Sequence, residues 1–278
     1  MNTTMNHKIA NVIAITGGKG GIGKTTLSVN LGIAIAQTGK KTYLLDADFG
    51  LSNVDVMLGL KPQFTLLDVI ENRASLAQII IEGPAGLHII PGASGFARMV
   101  DMAARDYGGI IAAFQSLASQ VDTLIIDTAA GISDSVIRFA VAANEIMVVV
   151  TDEPTSLADA YALIKLLNLR HGIQRFRIIV NLSSSLYEAK KLFAKLTNVT
   201  DQYLNVVLHF LGWVPEDELV RKAIKQQCAV MEAYPSSKAA QCVMTLASQI
   251  NKLPLPKSQG GQVQFFIEQF INVQNVVQ

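Results

Sequence analysis

The 278-residue sequence predicts an α/β fold: a single doubly wound, mostly parallel sheet with helices on both faces. Three observations predict it. Short, continuous apolar runs alternate with longer helical stretches, as strands buried on both faces require. A glycine-rich loop joins the first apolar run to the first helix, and two later apolar runs end in aspartate.

The elements follow in order. Strands are expected near 12–16, 42–46, 87–91, 123–127, 146–151, 176–181 and 207–214, each a compact apolar run. Helices are expected near 24–38, 53–59, 65–71, 75–81, 105–119, 134–143, 156–171, 186–196, 216–228 and 236–252. Gly39 stands where a left-handed cap would close the first helix. The run PLPKSQGG at 254–261 breaks the alternation and reads as a linker. The chain therefore divides into a short arm (1–11), a main domain (12–253), the linker (254–261) and a last helical segment (262–278).

Composition narrows the function classes. Half the residues are apolar and 16% are charged, which suits a large buried core. Lysines plus arginines number 23 against 22 acids, so no global charge draws the chain to nucleic acid, and no direct nucleic-acid partner is expected. Cys228 and Cys242 are too few and too far apart for a metal motif and read as free thiols. No apolar run reaches the roughly 18 residues that span a bilayer. Residues 1–11 are polar, unlike a secretory signal.

The loop between the first strand and helix carries the chemistry. Gly18 to Thr25 matches G-x-x-x-x-G-K-S/T, with Lys19, Gly20, Gly21, Ile22, Gly23 and Lys24 between and Thr26 following. Glycines let backbone N–H groups turn inward around phosphate oxygens, at a helix N-terminus whose dipole favours anions. Lys24 is expected to reach the β- and γ-phosphates, and the Thr25 hydroxyl to ligate Mg²⁺. Lys19 is a second cation that phosphate holding does not need.

Acids at strand ends complete the site. Asp46 and Asp48 follow the second strand, where C-terminal strand ends converge on the ligand crevice. One can support the metal while the other orients or deprotonates the attacking water. Asp127 ends the strand TLIID like a Walker B acid and is a candidate partner of Mg²⁺. The Asn-Lys-x-Asp guanine signature is absent, and Asn181 ends a late strand where its amide can read adenine, so ATP is the expected nucleotide. The segment 212–217, with Pro215 and Asp217, is placed to frame the base.

The loop KGGIGKT at 19–25, the aspartate-rich segment 46–53 and the DTAAG loop at 127–131 resemble the MinD/ParA family of ATPases with a deviant Walker A motif. The resemblance covers about residues 9–253. It implies an ATP-bound homodimer in which Lys19 reaches into the partner's site, with Asp48 activating water and Thr25 ligating Mg²⁺. Within the family, the stretches 153–167, 192–200, 220–223 and 235–239 resemble the branch that sets flagellar number (FlhG type). That branch implies a FleQ-type transcription activator of flagellar genes as partner, with FlhF and flagellar switch proteins as further candidates. Residues 1–11 lack the Asp-Gln-Ala motif that some members use on the GTPase FlhF. A MinD-like regulator of the division site is the alternative with the same chemistry.

The last segment places Val263, Phe266, Ile267, Phe270 and Ile271 on one helical face. The family uses such a tail as a reversible membrane anchor, which implies a cytoplasmic protein that visits the inner face of the membrane. The segment contains no Lys or Arg, so it lacks the roughly 1 kcal/mol that each would add near anionic lipid. The expected contact is weak in a monomer and aided by two tails in a dimer.

Overall fold

A computed structural model describes residues 10–48, 53–92, 114, 117 and 120–254. The expected membrane face at 263–271, the linker from residue 255 and most of the helix expected at 105–119 lie outside the described residues. Phe114 and Leu117 of that last stretch are helical and buried.

Strand β1 (Asn11–Thr16) is wholly buried and leads through the glycine loop into α1 (Lys24–Ala36). Nearly every residue of α1 from Leu27 on is buried, which explains why it carries no single apolar stripe. β2 (Thr42–Ala47) follows, then the short helices α2 (Val54–Met57), α3 (Leu66–Ile70) and α4 (Leu76–Ile79). β3 (Ile81–Glu82) and β4 (His88–Ile90) form a small antiparallel pair. After β5 (Thr123–Thr128) come α5 (Asp134–Ala142), β6 (Glu145–Val150), α6 (Pro154–His171) and β7 (Arg175–Ser183). The remainder is α7 (Leu186–Tyr203), β8 (Val207–Pro215), α8 (Glu218–Lys225), α9 (Val230–Ala233) and α10 (Lys238–Asn251).

The eight strands lie in the order β3-β4-β2-β5-β1-β6-β7-β8, all parallel except β3. Alternate residues of each strand enter opposite cores. Ile13, Ile15, Leu44, Ile125, Met147 and Val149 meet α1 and α10 on one face. Val12, Leu45, Leu124, Ile126, Val148 and Val150 meet α3 to α7 on the other. β1 sits at the centre, so the loop after it opens where the chain turns from winding one way to winding the other.

Four expectations are corrected in detail. The helix expected at 75–81 stops at Ile79 and gives way to β3, because Ile81 pairs with Ile89 along the sheet edge. The helix expected to end near 196 runs to Tyr203. Thr197 and Thr200, which disfavour helix interiors, return their hydroxyls to the carbonyls of Phe193 and Thr197, and Thr200 is buried. The helix expected at 216–228 ends at Lys225, with Gln227 in the left-handed region (φ 53°), and the separate turn α9 follows. The helix expected at 53–59 keeps only its first turn.

Candidate functional site

The glycine loop owes its shape to two different constraints. Gly21 (φ 78°) and Gly23 (φ 84°) adopt backbone conformations that side chains disfavour. Gly18 is not in the positive-φ region, but a Cβ there would collide with the backbone of Asp159 on α6. Gly23 is the N-cap of α1 and offers no side chain to the first turn, which leaves the backbone N–H groups of that turn directed at an anion. Gly131 N donates to Gly17 O at 3.2 Å, and the Thr128 hydroxyl to Ile15 O at 3.1 Å, so the segment after β5 is fastened beside the loop.

Lys24 is 7% exposed. Burial lowers its pKa, and the charges of Asp127 and Asp48 oppose the shift. Its Nζ donates to the carbonyl of Lys19 at 3.2 Å. Lys19 itself forms an ion pair with Glu153, and Thr155 Oγ1 lies 3.1 Å from its Nζ.

Asp127 is 1% exposed, and its pKa is raised to about 7. Burial is the largest cause; the Thr25 and Ser28 hydroxyls and the Lys24 charge oppose it, and the Asp46 charge adds to it. Ser28 Oγ lies 2.8 Å from Asp127 Oδ1 and 2.9 Å from Lys24 O. Asp127 Oδ2 is buried without a hydrogen-bond partner of good geometry. An orphaned oxygen on a carboxyl that also interacts with the Thr25 hydroxyl suits a cation or its bound water, so the residues fit Mg²⁺. Among the described residues no group of three or more His, Cys, Asp or Glu side chains could cage a metal. A cation here would lean on phosphate oxygens and the Thr25 hydroxyl.

Asp46, expected beside the metal, organises the backbone of its own loop. Its Oδ1 accepts from Asp48 N (3.1 Å), and its Oδ2 from Asn53 N (3.1 Å) and Val54 N (3.2 Å). The carboxylate thus pins the backbone on either side of 49–52 and fixes where Asp48 leaves β2. Asp48 is half-buried, near enough for its charge to act on Lys24.

A cleft beside the loop is lined by Gly23, Thr26, Asn181, Leu182, Pro215 and Asp217, among others. Asn181 and Pro215 therefore share one cleft with the start of α1. The Asn181 amide, however, donates to Ile22 O at 2.8 Å, so its nitrogen is spent on the loop. Asp217 is spent more fully. Its Oδ1 caps α8 at Leu219 N (2.9 Å), and its Oδ2 accepts from Ala239 N at the start of α10 (3.1 Å). It lines the cleft while joining the starts of α8 and α10. Trp213 packs into the core on the opposite face of the sheet, while Val214 and Pro215 face the cleft.

Sequence reasoning missed Ser28, Asn30 and Glu153. Ser28 follows Lys24 by one helical turn, a spacing that could have marked it. Asn30 donates to Thr26 O (2.7 Å) and accepts from Met231 N (3.0 Å), tying the cleft's far wall to the phosphate helix. The contacts of Asn30 with Met231 and of Glu153 with Lys19 have no local signal, because those partners are distant in the chain.

Comparison with known proteins adds to this geometry. The family model described as "AAA domain" (AAA_31) matches residues 10–180. The antiactivator FleN of Pseudomonas aeruginosa is 51% identical over 260 residues, covering 94% of this chain and 93% of FleN. The flagellum site-determining protein YlxH of Helicobacter pylori is 30% identical over 236 residues, 84% of this chain and 80% of YlxH. Among solved structures, the septum site-determining protein MinD of Pyrococcus horikoshii, complexed with Mg-ADP, superposes with a TM-score of 0.70 at 25% identity. That match covers 88% of this chain and 97% of the other.

Proposed function

Since the chain belongs to the MinD/ParA family of P-loop ATPases, we propose that it is an ATP-driven switch that controls flagellar number and placement. Its output is restraint of a FleQ-type transcription activator of flagellar genes. The observation that carries this reading is the near full-length likeness to an antiactivator, laid over a phosphate loop that holds two lysines.

ATP lies along the loop with its phosphates at the N-terminus of α1 and its base in the cleft between Asn181 and Pro215. Lys24 and the loop N–H groups hold the phosphates. Thr25 and Asp127 would hold Mg²⁺, which when bound would neutralise charge on the phosphates. Asp48 orients and deprotonates the attacking water, and Asp46 holds Asp48 in place. Two ATP-loaded copies pair face to face, and Lys19 of each acts in the other's site. The paired and single forms present different surfaces, so nucleotide state becomes partner choice. The apolar face Val263, Phe266, Ile267, Phe270 and Ile271 adds reversible contact with the inner face of the membrane. Loss of ATP-dependent liposome binding on deleting 262–278 tests that last part.

The deciding experiment is deletion of the gene in its host, with flagella and cell lengths counted by microscopy. Extra flagella on cells of normal length support the reading. Minicells or filaments with unchanged flagella overturn it in favour of a division-site regulator with the same ATPase chemistry.

A further inference from the structure

We propose that Glu153 is an intramolecular latch on Lys19, holding in its own chain the cation that dimerisation sends to a second copy. The proposal rests on the reading of Lys19 as acting in trans.

The start of α6 is built for holding Lys19 and not for capping itself. Glu153 occupies the N-cap position with extended backbone dihedrals, and Pro154 opens the helix. Short polar side chains usually accept a first-turn N–H at that position. Glu153 accepts none there, and its carboxylate reaches across to the Lys19 ammonium. Thr155, in the same turn, places its hydroxyl oxygen 3.1 Å from that ammonium. One turn further on, Asp159 lies so close to Gly18 that no side chain fits between them. The loop therefore rests flush on the first two turns of α6 just where Lys19 leaves it. The Lys19 carbonyl is held as well, by Lys24 Nζ at 3.2 Å.

Both ends of this side chain's anchorage are tied to the nucleotide. A phosphate that draws Lys24 to itself takes Lys24 from the Lys19 carbonyl. The ion pair is open to solvent, with 34% of the Lys19 side chain and 54% of the Glu153 side chain exposed. Such a pair exchanges readily and is weakened by salt. It thus sets a threshold and not a block: the single form is favoured until two phosphate chains outbid two carboxylates for the two lysines. An exposed pair shifts an equilibrium by about two- to five-fold. Opening one latch in each of two copies makes that about four- to twenty-five-fold in the dimer dissociation constant.

The test is sedimentation velocity of the full chain with Mg²⁺ and a non-hydrolysable ATP analogue, comparing wild type with Glu153→Gln. Circular dichroism melts establish that each variant is folded. The latch predicts a dissociation constant about four- to twenty-five-fold lower for Glu153→Gln, a gain that shrinks in high salt. Asp152→Asn, which removes a charge one residue away, should leave the constant near wild type. A Glu153→Gln protein that dimerises as wild type does, or more weakly, overturns the latch while wild-type dimerisation leaves the parent reading standing. A wild type that stays monomeric with nucleotide, or a Lys19→Ala that pairs normally, overturns the trans role and the latch together.

Discussion

The Asn181 amide donates to the Ile22 carbonyl at 2.8 Å and fills the space that a side chain on Gly23 would need. The end of β7 thus clamps the phosphate loop at the point where α1 begins. Asn181→Ala should weaken ATP binding about tenfold, the worth of roughly one hydrogen bond of 1–1.5 kcal/mol, in a calorimetric titration. Gly23→Ala should do worse, since it meets both Asn181 and an unfavourable φ of 84°.

Lys24→Ala should abolish tight nucleotide binding. The buried ammonium feels the charges of Asp127 and Asp48, and removing it leaves both acids unopposed by it when phosphates arrive. We expect at least about a 100-fold loss, in line with the ~3 kcal/mol of a strong charged contact. Titration with a fluorescent ATP analogue measures it; a loss of only a few-fold would contradict the assignment.

Asp48→Ala and Lys19→Ala should separate binding from turnover. The first should bind ATP, stay paired and release no phosphate. The second should bind ATP as a monomer and release none. Phosphate release and size-exclusion chromatography read both. An Asp48→Ala protein with normal turnover would take the water-activating role away from Asp48.

Asp127 should leave a signature in the pH dependence of stability. Its folded pKa is raised to about 7 from the ordinary 3.8, so the folded chain holds a proton that the unfolded chain has lost. Its contribution is fully present below about pH 4 and falls as pH rises through 7, by up to about 1.4 kcal/mol per unit. Above that it is flat. Urea melts of the nucleotide-free protein between these limits, taken as wild type minus Asp127→Asn, should show this falling difference. A difference that rises with pH would refute the buried, protonated carboxyl.

Asp217→Ala should act on stability more than on base choice. It strips the cap from α8 and a partner from Ala239 N at once. We expect a loss of about 1–3 kcal/mol in chemical denaturation. The ratio of ATP to GTP affinity should stay unchanged, and a changed ratio would show that Asp217 contributes to base choice.

What the sequence makes legible is what local chemistry encodes. The loop from Gly18 to Thr25 carries its constraint in consecutive residues, and the acids Asp46 and Asp127 announce themselves as the ends of apolar runs. The sheet and its two-sided helices follow from the same alternation. What stays hidden depends on register with distant strands. The ladder between β7 and β8 is irregular from Val180 to Ser183, and Leu182 takes a left-handed conformation (φ 55°) there. That bulge, which sets Asn181 against the loop and Leu182 on the cleft, has no signature within β7 itself. Glu153 and Lys19 meet across 134 positions of sequence, beyond the reach of any spacing rule. Asp217 lines the cleft as its place in the sequence suggested, but its bonds to backbone N–H groups of two separate helices have no sequence signal.

The two margins of the described sheet face unequal hazards of pairing with foreign chains. On one side, β3 is two residues long and runs against its neighbour, so it offers little to extend. On the other, β8 is nine residues long, and Val207 at its start is 54% exposed. Its ladder is broken twice, and it closes on Pro215, which has no N–H to give. The same irregularity that shapes the nucleotide cleft therefore also spoils this margin as a template for aggregation. A repair of the bulge toward regular pairing would cost the protein solubility as well as its cleft.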